Sequence, residues 1–480
     1  MTLRFDPGSG ETFKAAIRAI PGYPAGENLP IRAMIFESGA LFRLPELLTI
    51  TGAQANRKLL VVMDRAPMRR GGADLKALIL NTLQTAGWQP EIVWLEADAS
   101  GQVHTDFQHI EAVKARLSAD AAVLSVGSGV VTDVAKHACY LYQQSGGPTL
   151  PFGVYQTANS VSAYTSNMAP VFVDGVKRTL PSRYPDLLVC DLETLRDAPK
   201  EMTVAGVGDL LAAFGSFADW FLAYRLGLDP SYNTFAQTLM GPLDEIFLTE
   251  AAAIRSGTLE SMATLAKLIS LGGLAMSLSH ATAPLSGYEH VISHVLDLMA
   301  EQARQPLAQH GTQVALATLL TTAAYQKFLA EFEPGEVNLE ACYPTAPQMK
   351  ARLQTAFDPL DPTGRVTSEC WSDYQQKLEH WRQQRPAFES FLRDWPEVKS
   401  TLQALTRPPE RAQQILRAID SPLDFTELIP PVSRSQARFA FFNAPLIRRR
   451  LTLGDLFIFL NWDREALWAS VNNTHPLELI

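Results

Sequence analysis

AAVLSVGSGVVTDVAKHACYLYQQ, residues 121–144, reads as a strand, a glycine turn and a helix in one unbroken run. AAVLSV has no polar/apolar alternation, the pattern of a strand covered on both faces in a parallel sheet. VVTDVAKHACYLYQQ carries its apolar residues at helical spacing. Between them, Gly127, Ser128 and Gly129 allow backbone N–H groups to approach a pyrophosphate, where the helix dipole favours negative charge. The third glycine of a Gly-x-Gly-x-x-Gly fingerprint is absent, Thr132 standing in its place, so a purely structural turn is the alternative.

The same pattern extends outward. IRAMIF (31–36), LLVVMD (59–64), EIVWL (91–95), PFGVY (151–155) and DLLVCD (186–191) are further short apolar runs, with amphipathic segments DLKALILNTLQTAG and HIEAVKARLSA among them. Strands alternating with helices predict an α/β domain over residues 1–198. Asp64, closing LLVVMD, is a candidate for the ribose hydroxyls of a dinucleotide, and a strand-end aspartate without function is equally common.

Beyond Pro199 the text turns to long Ala- and Leu-rich helical segments, so residues 199–480 are expected to form an all-α domain. Its passage from 345 to 400 is more polar, is punctuated by Pro347, Pro359, Pro362 and Pro386, and reads as surface helical hairpins. Within this half, SGYEHVISHVLDLMAEQARQPLAQHGT (286–312) holds three of the nine histidines. His290 and His294 are four apart and share a helix face. His310 precedes a second helical run that folds back toward the first. Two imidazoles plus a carboxylate make a divalent-metal site with an open position; satisfied polar groups on a half-buried helix are the alternative.

Composition narrows the function classes. A net charge of −9 argues against a nucleic-acid surface, Arg448, Arg449 and Arg450 being a local exception. Four scattered cysteines with no Cys-x-x-Cys pair suggest neither a disulfide framework nor a thiolate zinc site. The N-terminus lacks a signal-peptide core and no run reaches the about 18 apolar residues of a membrane span. A cytoplasmic protein with a small-molecule substrate and no membrane span is expected.

The order of GSGVVTDVAK, TANS, VDGVKRT, DLETLRDAPKEMTVAGVGDLLAAFGSFADW, SGYEHVISH, QHG and LIRRRLTLGDL resembles the sn-glycerol-1-phosphate dehydrogenases. These lie within the superfamily of dehydroquinate synthases and iron-containing alcohol dehydrogenases. The resemblance runs over about 31–330 and the last 50 residues, leaving 345–400 unplaced. It implies a dehydroquinate synthase-like fold, with an NAD- or NADP-binding α/β domain and a helical metal- and substrate-binding domain. Carried over by position, Asp209, His290 and His310 hold the metal, zinc first, with iron(II) or nickel(II) suiting the same donors. His294 is a catalytic proton-relay candidate. Gly127, Ser128 and Gly129 cradle the pyrophosphate, Asp133 lies close by, and Thr157 and Ser160 line the nicotinamide. The implied reaction is oxidation of a small polyol or polyol phosphate, glycerol 1-phosphate to dihydroxyacetone phosphate above all, by a homodimer. The alternatives are a dehydroquinate-synthase-like lyase or cyclase using NAD transiently, and a non-catalytic member of the fold.

Three positions depart from the pattern. Asn159 replaces a proline, Ser162 an aspartate and Ala213 a lysine, with Lys177 and Arg178 left as candidate phosphate-binding cations. A pocket lacking that aspartate and lysine is expected to select less strictly for a polyol phosphate. Ser162→Asp is then expected to restore the preference.

Overall fold

The computed structural model describes residues 3–55, 57–173 and 175–472. Six strands form one sheet: β1 (Ala33–Glu37), β2 (Lys58–Asp64), β3 (Gln89–Leu95), β4 (Ala122–Gly127), β5 (Phe152–Gln156) and β6 (Leu187–Asp191). Their spatial order is β1-β6-β5-β4-β2-β3 and every pairing is parallel. Each expected apolar run is a strand, its ends shifted by a residue or two. All of β4, β5 and β6 is buried, as continuous apolar strands require when helices cover both sheet faces. One sheet face closes over Leu44, Leu59, Val61, Ile79, Leu83, Leu124 and Val189, all fully buried, each burial stabilising by about 1.5–3 kcal/mol. Aspartates begin the helices beside the sheet: Asp74, Asp106 and Asp191 accept from the backbone N–H of Ala77, His109 and Thr194.

The chain runs from β2 out to the edge strand β3, then returns to lay β4 on the other side of β2. This reversal sets a switch point between β2 and β4, the position at which open α/β sheets bind ligands beyond the strand C-termini. The glycine turn leaves β4 there and leads into helix α1 (Gly129–Gln144). A two-stranded hairpin, Met168–Val173 and Val176–Pro181, was hidden in the VDGVKRT stretch, with Gly175 at φ +80°.

Packing divides the chain into two units: Met1–Val173, Lys177–Leu210 and Thr234–Leu278 form one, and Asp174–Val176, Leu211–Asn233 and Ser279–Ile480 the other. This differs from a single cut at 198/199. Most of α2 (Lys200–Leu211), and all of the long helix ending at Leu278, belong with the sheet. The reason is the loop after β5. Asn159 Nδ2 donates to Met262 O at 3.1 Å and Thr165 Oγ1 to Ser270 O at 2.7 Å. Gly206 of α2 lies so close that a Cβ there would sit 2.1 Å from Asn159 O.

The second unit is helical, built around α3 (Ala213–Arg225), α5 (Tyr288–Gln302) and α6 (His310–Glu331), where α4 denotes the first unit's Leu259–Leu278. Residues 345–400 are helical, as expected, but they are not confined to the surface. On α7 (Arg365–Gln383), Cys370, Tyr374, Leu378 and Trp381 are buried on one face, and Trp381 stacks on Phe459 with ring centroids 4.6 Å apart. All four cysteines are buried and none is in a disulfide. Two helical stretches, Lys200–Arg225 and Leu259–Leu278, are long and apolar enough to cross a membrane by length and composition, which the residue runs did not reveal. They are 89% and 78% buried inside the protein, the position of core helices.

Candidate active site

In the first unit the glycine turn is built for close approach. Ser128 begins α1 in extended conformation without a side-chain cap bond, so its hydroxyl does not occupy the first-turn amides of a 16-residue helix. That arrangement fits a pyrophosphate. The glycines also serve packing: a Cβ at Gly127 would lie 2.5 Å from Val131, and one at Gly129 would lie 2.5 Å from Val161 Cγ2. Thr157 N donates to Gly127 O at 3.2 Å, tying the loop after β5 to the turn. Asp64 accepts from Lys76 Nζ at 3.0 Å and from Ala66 N at 3.1 Å. Its carboxylate thus anchors the β2 exit at the switch point.

Asp133 and Lys136, both buried on α1, form an ion pair at 2.7 Å. Burial pushes the Asp133 carboxyl up and Lys136 opposes it. Lys136 also donates to Ala163 O at 2.9 Å, fixing the far end of the loop. Within that loop Ser160 Oγ meets Tyr164 Oη at 3.2 Å, and Tyr164 donates to Ala158 O at 2.8 Å. Asn159, in place of the expected proline, receives Gln156 Nε2 at 2.8 Å while bonding Met262, so the side chain does the stiffening a proline ring would do. Lys177 Nζ lies 5.4 Å from the Phe172 ring centre, and Arg178 is buried.

Ser162 has a role that its expected replacement could not fill. Its backbone N and its Oγ both donate to Asp209 Oδ2, at 3.1 and 3.0 Å. Asp209 is buried on α2 and is thereby held as a carboxylate of fixed orientation. An aspartate at 162 would set a second negative charge against it, which is an argument against the gain expected from Ser162→Asp.

The second unit brings the three histidines together. His290 and His310 have ring centroids 5.2 Å apart; His294 stacks on His310 at 5.7 Å with planes 12° apart. The hydrogen bonds assign their tautomers. His290 Nδ1 lies 3.2 Å from Glu289 Oε1, which also accepts from Gly287 N at 2.6 Å, so Nδ1 is the donor to this carboxylate. His310 Nδ1 lies 3.0 Å from Ser293 Oγ, whose proton goes to Gln313 Oε1 at 2.8 Å. Nδ1 of His310 is again the donor. Carboxylate and hydroxyl partners of this kind orient imidazoles where they bind metals. His294 is the reverse: Arg448 Nη2 lies 2.8 Å from its Nδ1, and a guanidinium only donates, so the proton is on Nε2. On both His290 and His310 the hydrogen-bonded nitrogen is Nδ1. His294 is a hydrogen-bond donor, which does not suit it to accept a proton while Arg448 holds Nδ1.

Residue patterns singled out the histidines and Asp209 but missed Glu289, Ser293, Gln313 and Arg448 as partners around the histidines, and Ser162 as the partner of Asp209. Ser293 lies three residues from His290 and Gln313 three from His310, spacing that puts each beside a histidine on its helix face. That spacing was the available signal. Nothing in the residue order links Arg448 to His294. Ala213 is buried at the start of α3.

Residues 35–199 match the family model described as iron-containing alcohol dehydrogenase. Over 310 residues the chain is 30% identical to the glycerol-1-phosphate dehydrogenase [NAD(P)+] of Bacillus subtilis (strain 168), covering 63% of this chain and 76% of that protein. The enzyme of the same name from Pyrococcus furiosus is 30% identical over 197 residues, 41% of this chain and 54% of that one. Among solved structures, the iron-containing alcohol dehydrogenase of Thermococcus thioreducens is similar at a TM-score of 0.55 and 13% identity, covering 94% of this chain and all of that one. The sulfoacetaldehyde reductase of Bifidobacterium kashiwanohense, solved with NAD+, gives 0.54 at 12% identity, covering 94% of this chain and 98% of that one. Such identities speak to the fold alone.

Proposed function

We propose, because this chain belongs to the iron-containing alcohol dehydrogenase family and is an NAD(P)-dependent alcohol dehydrogenase, that its substrate pair is glycerol 1-phosphate and dihydroxyacetone phosphate. Asp209, His290 and His310 hold a divalent ion, zinc first, with iron(II) and nickel(II) suited to the same donors. The observation that carries this reading is the pair of supported imidazoles, with Glu289 Oε1 3.2 Å from His290 Nδ1 and Ser293 Oγ 3.0 Å from His310 Nδ1, the kind of contact that orients ligand histidines. Gly127, Ser128 and Gly129 receive the pyrophosphate at the start of α1, with Asp64, Asp133, Thr157 and Ser160 around the dinucleotide. The first unit is the dinucleotide-binding part and the second supplies the histidine ligands.

When bound, the nicotinamide exchanges the hydride and the ion supplies Lewis acidity at the substrate oxygen. The chain's residues do the rest. Ser162 orients Asp209, Glu289 orients His290, and Ser293 with Gln313 orients His310. His294 presents its Nε2 proton as a donor to a substrate oxygen. Lys177 and Arg178 are the cations of the first unit proposed for the phosphate. The same reading makes the protein a cytoplasmic homodimer, which light scattering and cell fractionation test.

The deciding experiment combines metal analysis of purified protein with NAD(P)H formation from glycerol 1-phosphate and from uncharged diols, using NAD and NADP separately. Stoichiometric metal and a kcat/KM preference for the phosphate are expected. Preference for the uncharged diols would overturn the substrate assignment, and metal-free active protein would overturn the ligand assignment.

A further inference from the structure

Residues 345–400 carry a buried lysine that the proposed reaction does not use. Lys377 of α7 is fully buried in the second unit, where a helix face of Cys370, Tyr374, Leu378 and Trp381 would otherwise continue with an apolar residue. Its ammonium has three N–H donors and meets three acceptors: Pro445 O at 2.6 Å, Asp455 Oδ1 at 2.7 Å and Arg450 O at 3.2 Å. Asp455 is itself held, its Oδ2 accepting from Thr452 N at 2.9 Å. A buried ion pair is weak evidence of stabilisation, because an apolar pair of similar volume often does as well; fixing one backbone arrangement is a use that an apolar pair cannot copy.

The fixed backbone is the informative part. Pro445 and Arg450 bracket Arg448, so one ammonium grips both ends of the short segment that presents Arg448 to His294 Nδ1. Ile447, next to Arg448, is fully buried, which leaves the segment little freedom to pivot. We infer that α7 is a positioning element for the candidate site: Lys377 and Arg448 are positioning residues that lock His294 in its Nε2–H tautomer, aimed as a donor at an oxyanion of the substrate. The inference rests on the proposed reading only in giving His294 a substrate to face; the lock is a property of the chain alone.

The test uses full-length protein loaded with zinc and labelled with 15N-histidine, His294 being assigned by the signal lost in His294→Gln. Wild type should show a protonated Nε2 and an unprotonated Nδ1 at His294. Arg448→Met should release the ring to a mixture of tautomers, and Arg448→Lys should restore it in part. The decisive variant is Lys377→Met, which should release the ring although Arg448 is still present, with zinc content retained. If Lys377→Met fails to fold, Lys377→Met with Asp455→Leu removes both charges together and takes its place. Each single variant should lower kcat/KM by about 10-fold, in the range of supporting-residue losses, and the Lys377→Met, Arg448→Met pair should lose no more than Arg448→Met alone.

An unchanged His294 tautomer in the folded Lys377 variant, or additive kinetic losses, would overturn the inference. A tautomer that shifts in an enzyme inactive on glycerol 1-phosphate would leave the lock standing and sink the substrate reading instead.

Discussion

The two candidate regions are made from different materials. In the first unit, specificity comes from backbone at close quarters: Gly129 and Gly206 are required because a Cβ would lie 2.5 Å from Val161 or 2.1 Å from Asn159 O. In the second unit it comes from side chains whose protons are assigned by neighbours: Glu289 for His290, Ser293 with Gln313 for His310, Arg448 for His294. The first kind of site breaks when something is added. The second breaks when something is removed, and it breaks chemically while the fold survives.

The largest effect expected from that contrast is at the ligands. His290→Ala and His310→Ala should each abolish metal retention and lower kcat by several orders of magnitude, with far-ultraviolet circular dichroism unchanged. Metal analysis after gel filtration checks this, and full metal content in either variant would break the comparison at its chemical end.

Next in size is Ser162→Asp, which adds to a site of the first kind. The new carboxylate would replace the Oγ donor to Asp209 Oδ2 with a second negative charge, while the backbone N–H of residue 162 still donates. Metal affinity and kcat/KM should fall by about 10–100-fold, and Ser162→Ala should fall less, since it loses the hydroxyl without adding a charge. A rise in kcat/KM for glycerol 1-phosphate in Ser162→Asp would restore the expectation drawn from residue type alone.

These differences explain what residue order revealed. The six strands were legible because parallel strands buried on both faces are written as continuous apolar runs. His290 and His294 were legible because four residues make one helix turn. Ser162 looked like a lost carboxylate because its partner Asp209 is 47 residues away, and no local pattern carries that contact. Helical Gly206 has no local pattern that shows its role, although it marks where a loop crosses α2. Lys377 was hidden by a polar passage in which a buried cation looks like another surface charge.

A buried carboxylate in the second unit supplies a pH test. Asp219 is pushed up to about 7, first by burial and then by Glu289, against hydrogen bonds from Tyr325, Leu453 and Tyr288. The folded chain therefore keeps a proton that the unfolded chain loses near 3.8, so stability from this group is full below that value and is lost as pH rises toward 7. Asp219→Asn cannot titrate. Between pH 4 and 8 wild type should lose roughly 4 kcal/mol more stability than the variant, measured by urea unfolding at each pH. Parallel pH profiles would mean that Asp219 is ionised in the fold throughout.

The smallest effect separates packing from recognition at Gly129. Gly129→Val was the natural test of a pyrophosphate cradle, but the structure shows that it cannot discriminate, because Val161 Cγ2 stands 2.5 Å from the position of any added Cβ. Gly129→Ala should cost about 1 kcal/mol without any ligand, the lower end of overpacking penalties. Val161→Ala removes the obstacle, so the double variant Gly129→Ala, Val161→Ala should regain most of that stability. What then remains is the methyl group at the start of α1, where a pyrophosphate needs the backbone amides. The double variant should bind NAD or NADP about 10-fold more weakly than Val161→Ala alone, a difference near 1.4 kcal/mol. Calorimetry of dinucleotide binding to the two proteins gives the answer. Equal affinities would leave Gly129 as a packing residue and move the pyrophosphate away from this turn.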